Sequence, residues 1–414
     1  MNDPANARRK RRAAALAGRL LLLAFGCFVG LAIAELALRV ARVSFPLPYQ
    51  PDSHCGARLR PGFAAWFTKE GRAYVRINSA GMRDQEHSLH KPPGTVRIAV
   101  LGDSYAEAVQ VPLEATFWSV LGRELERQQT FGAVRVEVLN FGVSGYGTGQ
   151  ELQMLRHYVW PYEPDIILLA FLAGNDVRNN SRRLEPDQVR PFFDLREGAL
   201  VLDDSFRNHP TYLQANSHWT RGKVALINAS RVLQLVHEWK NRRTTSERSP
   251  APGGGTPAVA GVFAADPGGP WREAWRVTEE ILCEIQRESH AHHARLFVAL
   301  VTEDFQVHPD SSTRERLLRE HGLDDPLVAE RRIESLAQRA GFTVICLAEE
   351  LGDYAAKNRA FLHGFANTRW GTGHWNELGH RVAGQAIARS IDAEMRSAAR
   401  SKPVPAEAAD GSGS

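Results

Sequence analysis

Residues 97–104 read Arg-Ile-Ala-Val-Leu-Gly-Asp-Ser (RIAVLGDS). The apolar run before Gly102 lacks the in–out alternation of a strand with one solvated face, so it predicts a short parallel strand buried on both faces. Beyond Ser104 the pattern turns helical. Working outward, the same kind of strand recurs at 135–139 (RVEVL), 165–171 (DIILLAF), 296–301 (LFVALV) and 342–346 (FTVIC). Helical segments fall between them at 117–128, 149–159, 271–289 and 327–340, and a last one runs from 376 to about 398. This alternation predicts an α/β fold: a doubly wound (flavodoxin-like) parallel sheet of about five strands with helices on both faces.

Two regions depart from the rhythm. Residues 41–95 hold Pro46, Pro48, Pro51 and Pro61 and the alternating segment 72–78, which predicts a strand-rich lead-in with a turn at 78–81. More than a hundred residues separate the third and fourth strands, far beyond an ordinary crossover. We read 178–270 as an insertion bordering the site, with a hairpin (192–195 and 199–202), a helix at 223–240 and a Pro/Gly/Ser-rich tether from 243. The main domain is expected over 96–396, and a loose tail over 397–414.

In an open parallel sheet, functional groups collect where the strands end at their carboxyl side. The first strand ends in Gly102-Asp103-Ser104, at a helix start where free N–H groups suit an oxyanion. The second ends in the glycine-rich 140–149 (NFGVSGYGTG), which matches neither phosphate-loop pattern and instead offers a backbone N–H. The third ends in Ala173-Gly174-Asn175-Asp176, which offers an amide donor. After the fifth, 373–380 (GHWNELGH) places His374 just ahead of an Asn376 N-cap, while His380 falls inside the helix with a structural role. Asp103 and Asp176 are expected to brace their loops, and Tyr146 and Trp375 either to flank a ligand or to pack in the core.

Four such blocks, in this order and each at a strand end, resemble the SGNH hydrolases, the GDSL-like esterases and acylhydrolases. The likeness covers about 96–176 and 271–396, and 77–84 (INSAGMRD) also looks like exported, membrane-anchored bacterial members. The resemblance implies an ester hydrolase with Ser104 as nucleophile and His374 as general base. It implies an oxyanion hole formed by the backbone N–H of Ser104 and of Gly145 with the side chain of Asn175. No metal or cofactor is expected. One position departs from the family, where an Asp usually stands three residues before the histidine and orients it; here that position is Gly371. The gap leaves a Ser–His dyad, an acid borrowed from another strand end (Glu303 or Asp304) or an inactive relative.

Composition sets the location. The 414 residues carry 51 Lys+Arg and 47 Asp+Glu, a net charge of +4. Arg8, Arg9, Lys10, Arg11 and Arg12 against Asp3 account for that excess, so the body of the chain is neutral and no nucleic-acid partner is expected. An apolar run follows, continuous from 20 to 34 and extended to Val40 across Glu35 and Arg39, an i,i+4 pair. A basic block before an apolar helix predicts a cytoplasmic segment (1–12) and a single-pass signal anchor (13–40), with the catalytic domain periplasmic or extracellular. Cleavage after Ala32-Ile33-Ala34 would release a secreted form instead. Four cysteines, one of them inside the anchor, give no disulfide framework. The expected function is therefore cleavage of an O-acyl, foremost O-acetyl, ester of an envelope glycan or lipid through an acyl-serine. O-acyl transfer by the same serine and non-catalytic glycan binding are the alternatives.

Overall fold

In the computed structural model residues 4–246 and 260–400 are described, and they fall into two compact units. One lies within Met1–Leu47 and Ala215–Pro250; the other lies within Pro48–Gln214 and Ala251–Ser414. The expected tether and tail lie largely outside the described residues.

The first unit contains a long helix, α1 (Pro4–Val40), whose stretch Ala13–Val40 is apolar and long enough to cross a membrane. Two more helices, α7 (His218–Ala229) and α8 (Arg231–Ser246), complete it. The single helix expected at 223–240 is thus two, broken at Ser230. Ser217 caps the start of α7 by accepting from the Thr220 N–H.

The second unit is built on five parallel strands. They are β5 (Thr95–Gly102), β6 (Arg135–Asn140), β7 (Ile166–Phe171), β10 (Arg295–Leu300) and β11 (Thr343–Cys346), in the order β11-β10-β7-β5-β6. All five expected strands are present, each within a residue or two of its predicted ends. Alternate residues of β5 point to opposite faces, and both faces are buried. Ile98 and Val100 enter the cluster with Phe117, Leu121, Ile387 and Ile391, while Ala99 and Leu101 join Leu152, Ile281 and Ile285. Burial of one such Ile or Leu side chain stabilises by roughly 1.5–3 kcal/mol, which is why the strand carries apolar residues on both sides.

The helices covering the sheet include α2 (Ser104–Glu107), α3 (Phe117–Gln128), α4 (Thr148–Met154), α5 (Ala173–Asn179), α9 (Gly269–Ala291), α11 (Val328–Ala340) and α13 (Glu377–Arg400). The helix expected over 149–159 is regular only through α4. It closes as a π turn, Leu155–Val159, ahead of Pro161, which cannot donate a backbone hydrogen bond. Three further helices, α6 (Pro210–Asn216), α10 (Ser311–His321) and α12 (Ala348–Asn358), lie outside the expected segments. The lead-in forms two antiparallel pairs, β1 (Tyr49–Asp52) with β2 (Gly56–Leu59) and β3 (Ala64–Phe67) with β4 (Ala73–Arg76). The expected hairpin of the insertion is β8 (Phe192–Arg196) with β9 (Ala199–Asp203).

Candidate active site

Ser104 opens α2 directly after β5. Asp103, fully buried, caps that short helix, its Oδ1 accepting from the Tyr105 N–H at 2.9 Å. The far end of α2 is held by Arg83, from the INSAGMRD segment. Its buried guanidinium donates to the carbonyls of Glu107 (2.6 Å), Ala108 and Val111 (2.5 Å). Glu107 and Ala108 close α2, so the arginine fixes the end of the turn that carries Ser104.

His374 reaches this serine from the loop before α13, with Nε2 lying 2.9 Å from Ser104 Oγ. On the other side, Nδ1 lies 2.6 Å from Glu70 Oε2, and the His374 backbone N–H donates to Glu70 Oε1 at 2.8 Å. A carboxylate against Nδ1 fixes the proton there and leaves the Nε2 lone pair for the serine hydroxyl. Burial alone would raise the Glu70 carboxyl. The hydrogen bonds and charge of His374, with the Gln110 side chain, outweigh it and hold Glu70 below the usual carboxylate range.

The carboxylate on the imidazole therefore comes from neither strand-end candidate. Asp304 Oδ2 accepts from the Gly373 N–H at 3.3 Å, and Glu303 is turned to the Gly174 N–H. Burial, reinforced by Asp304, Asp103 and Glu330, pushes Glu303 up to about 8, although part of the residue reaches the surface. Glu70 was not legible because it belongs to the lead-in, on the loop 68–72 between β3 and β4, outside the register of strand ends. Asn367 ties that loop to the histidine loop. Its Nδ2 donates to the carbonyls of Thr68 and Gly71, both at 3.0 Å, and its Oδ1 accepts from the Gly71 N–H at 2.9 Å.

Two glycines explain the exchange of acids. Gly371, where SGNH hydrolases usually carry Asp, has φ +77°, and a Cβ there would meet His308 Cδ2 at 2.9 Å and the Phe361 ring at 3.1 Å. Gly373 has φ +79°, and a Cβ there would lie 2.3 Å from Glu70 Oε1. A side chain is strained at the first and would expel the carboxylate at the second. The Gly373 carbonyl accepts from Tyr105 Oη (3.2 Å) and faces His363 Nδ1 (2.6 Å), so the loop is anchored from the serine side as well.

The expected oxyanion donors stand at the ends of the three neighbouring strands β6, β5 and β7. Among the described residues, the N–H groups of Ser104 and Gly145 donate to no protein acceptor. Asn175 Nδ2 donates one hydrogen to Asp103 Oδ2 at 2.7 Å, which fixes the amide beside the Ser104 turn and leaves its second hydrogen. Buried Glu107 ties the β6 loop to α2 by accepting from the Ser144 N–H at 2.6 Å. Asp176 braces its own loop, accepting from the Leu172 N–H at 2.7 Å. Burial, reinforced by the charge of Asp103, pushes the carboxyls of Asp176 and its neighbour Glu151 well above the ordinary carboxyl range.

The remaining candidates are structural. Tyr146 is buried, its hydroxyl donating to the Ala57 carbonyl at 2.5 Å, and buried Trp375 donates to Thr302 Oγ1 at 2.9 Å. His380 Nδ1 accepts from the Phe117 N–H, and burial lowers that imidazole to about 3, so it stays neutral.

No family model and no curated protein sequence matches the chain. Among solved structures it is similar to an acetyl xylan esterase, AlAXEase, at 10% identity, TM-score 0.36, over 72% of this chain and 100% of that one. It is similar to Axe2, an acetylxylan esterase from Geobacillus stearothermophilus, at 11% identity and TM-score 0.36, over 72% and 94% of the two chains. TesA aligns at 11% identity and TM-score 0.35, over 71% of this chain and 97% of its own.

Proposed function

We propose that this chain is a serine esterase of SGNH type in which Glu70, His374 and Ser104 act as a triad. The observation that carries the reading is the unbroken relay from Glu70 Oε2 through both imidazole nitrogens to Ser104 Oγ, at 2.6 and 2.9 Å. His374 Nε2 takes the hydroxyl proton as Oγ attacks the ester carbonyl carbon. The carbonyl oxygen becomes an oxyanion, and the N–H groups of Ser104 and Gly145 with the Asn175 amide are its donors. Collapse breaks the ester C–O bond, and the imidazolium hydrogen passes to the leaving alcohol. Water, deprotonated by the same nitrogen, then releases the acid from the acyl-serine. Glu70 keeps its charge throughout, orienting the ring and stabilising the imidazolium.

With the basic segment cytoplasmic and α1 as anchor, the site works outside the membrane on an O-acyl, foremost O-acetyl, ester of an envelope glycan or lipid. The Glu70 carboxylate on His374 Nδ1 favours catalysis over the inactive relative that Gly371 alone would suggest. Transfer of the acyl group to a sugar hydroxyl would use the same groups. The test is turnover of p-nitrophenyl acetate and acetate release from O-acetylated glycan, wild type against Ser104→Ala. Serine-dependent release is expected, and equal rates in the two proteins would reject the reading.

A further inference from the structure

We infer that α7 and α8 form a lipid-embedded hairpin in the outer leaflet, seated on the anchor by Glu35; this rests on the reading of α1 as a membrane span. Glu35 lies within the apolar stretch Ala13–Val40, where an unpaired carboxylate would be costly. It is not unpaired. Oε1 accepts from Arg39 Nε (2.7 Å) and the Arg231 N–H (3.0 Å), and Oε2 accepts from Ser230 Oγ (2.9 Å) and the Val232 N–H (3.1 Å). Arg39 Nη2 in turn donates to the Ala229 carbonyl at 2.8 Å. One ion pair on α1 thus satisfies both the last carbonyl of α7 and the first N–H groups of α8. At 1.5 Å per residue, this joint sits roughly 7 Å before the end of α1 at Val40, inside the apolar stretch.

The hairpin buries polar groups and exposes several large apolar ones. Its interior is polar: fully buried Gln234 accepts from the Phe45 N–H and donates to the Asn228 carbonyl, and Asn228 accepts from the Leu47 N–H. Large apolar side chains stand outside it, with the basic Lys223 exposed between two of them: Trp219 is 83% exposed and Leu226 65% on one helix, Val236 55% and Leu233 42% on the other. Trp219 and Leu226 are seven residues apart and share a face of α7. Arg221, Lys223, Arg231 and Lys240 against Glu238 give the basic excess of helices that lie at a bilayer interface. Lipid is the occupant these faces fit, because α1, which seats them through Glu35, is itself apolar and unburied over its candidate membrane span.

The test uses the full chain in phosphatidylethanolamine/phosphatidylglycerol vesicles, with p-benzoylphenylalanine placed singly at Trp219, Leu226, Val236 or Leu21. After irradiation, adducts are assigned by mass. Lipid adducts at 219, 226 and 236 in yields matching those at Leu21 are expected. Glu35→Ala should lower the yields at 226 and 236 severalfold and leave Leu21 unchanged. Lipid at Leu21 with none at the other three positions, or cross-links there to a second copy or another protein, would overturn the hairpin and leave the anchor standing. No lipid adduct at Leu21 would overturn the span and the hairpin together, and unchanged yields in Glu35→Ala would overturn the seating.

Discussion

At the scale of single residues, Glu70 orients the proposed triad. The carboxylate makes two contacts with His374, one to the ring and one to the backbone N–H, so it sets both tautomer and position. Glu70→Gln keeps the shape but offers an amide where the ring needs an anion. A wrong tautomer in a serine triad costs on the order of 10⁴-fold in kcat, and a fall of that order in ester turnover is expected. Adding Gly371→Asp to Glu70→Gln should not restore activity, because φ +77° and the neighbouring His308 and Phe361 deny the side chain its place. Recovery of turnover in the double variant would show that the usual acid position is open after all. Ser104, Gly145 and Asn175 are legible as positions just after strands and His374 as the position ahead of the last helix, and the roles proposed for them come from the family resemblance. Glu70 is not legible, because a charged residue in a short loop carries no pattern until the tertiary fold brings it near a histidine more than three hundred positions away.

At the scale of elements, the β3–β4 hairpin becomes part of the machinery. Its loop is held by three hydrogen bonds to Asn367, each worth roughly 1 kcal/mol net. Asn367→Ala should let the carboxylate drift and lower kcat about tenfold, the equivalent of 1.4 kcal/mol in the barrier. If Asn367 acts through Glu70, the loss should vanish in a Glu70→Gln background, whereas additive losses in the double variant would mean the loop matters for another reason. The five sheet strands were legible because burial on both faces leaves an apolar run. The break at Ser230 was not, since Glu35 of another element satisfies the backbone groups freed there.

At the scale of the whole molecule, the site stands on a bed of buried acids, and stability should record it. Glu303, pushed up to about 8, stays protonated in the folded protein while the unfolded chain ionises near the ordinary glutamate value. The native state then binds more protons across that window, so this group's contribution is full below the ordinary value and is lost as pH rises towards 8. Glu330, pushed up to about 7 by burial, acts in the same sense. Urea unfolding of Glu303→Gln between pH 5 and 8, compared with wild type, should show a shallower decline and greater stability at the alkaline end. An unchanged slope would mean that Glu303 is ionised in the folded protein.

Across the whole chain, folding would assemble one activated serine from segments spread between Glu70 and His374. Reaction with a fluorophosphonate, followed by intact-mass and peptide mapping, tests it most directly. One phosphonyl group on the Ser104 peptide is predicted, absent from Ser104→Ala and His374→Ala and much slower to form in Glu70→Gln. No adduct on the folded wild-type protein, or an adduct on a different serine, would contradict it.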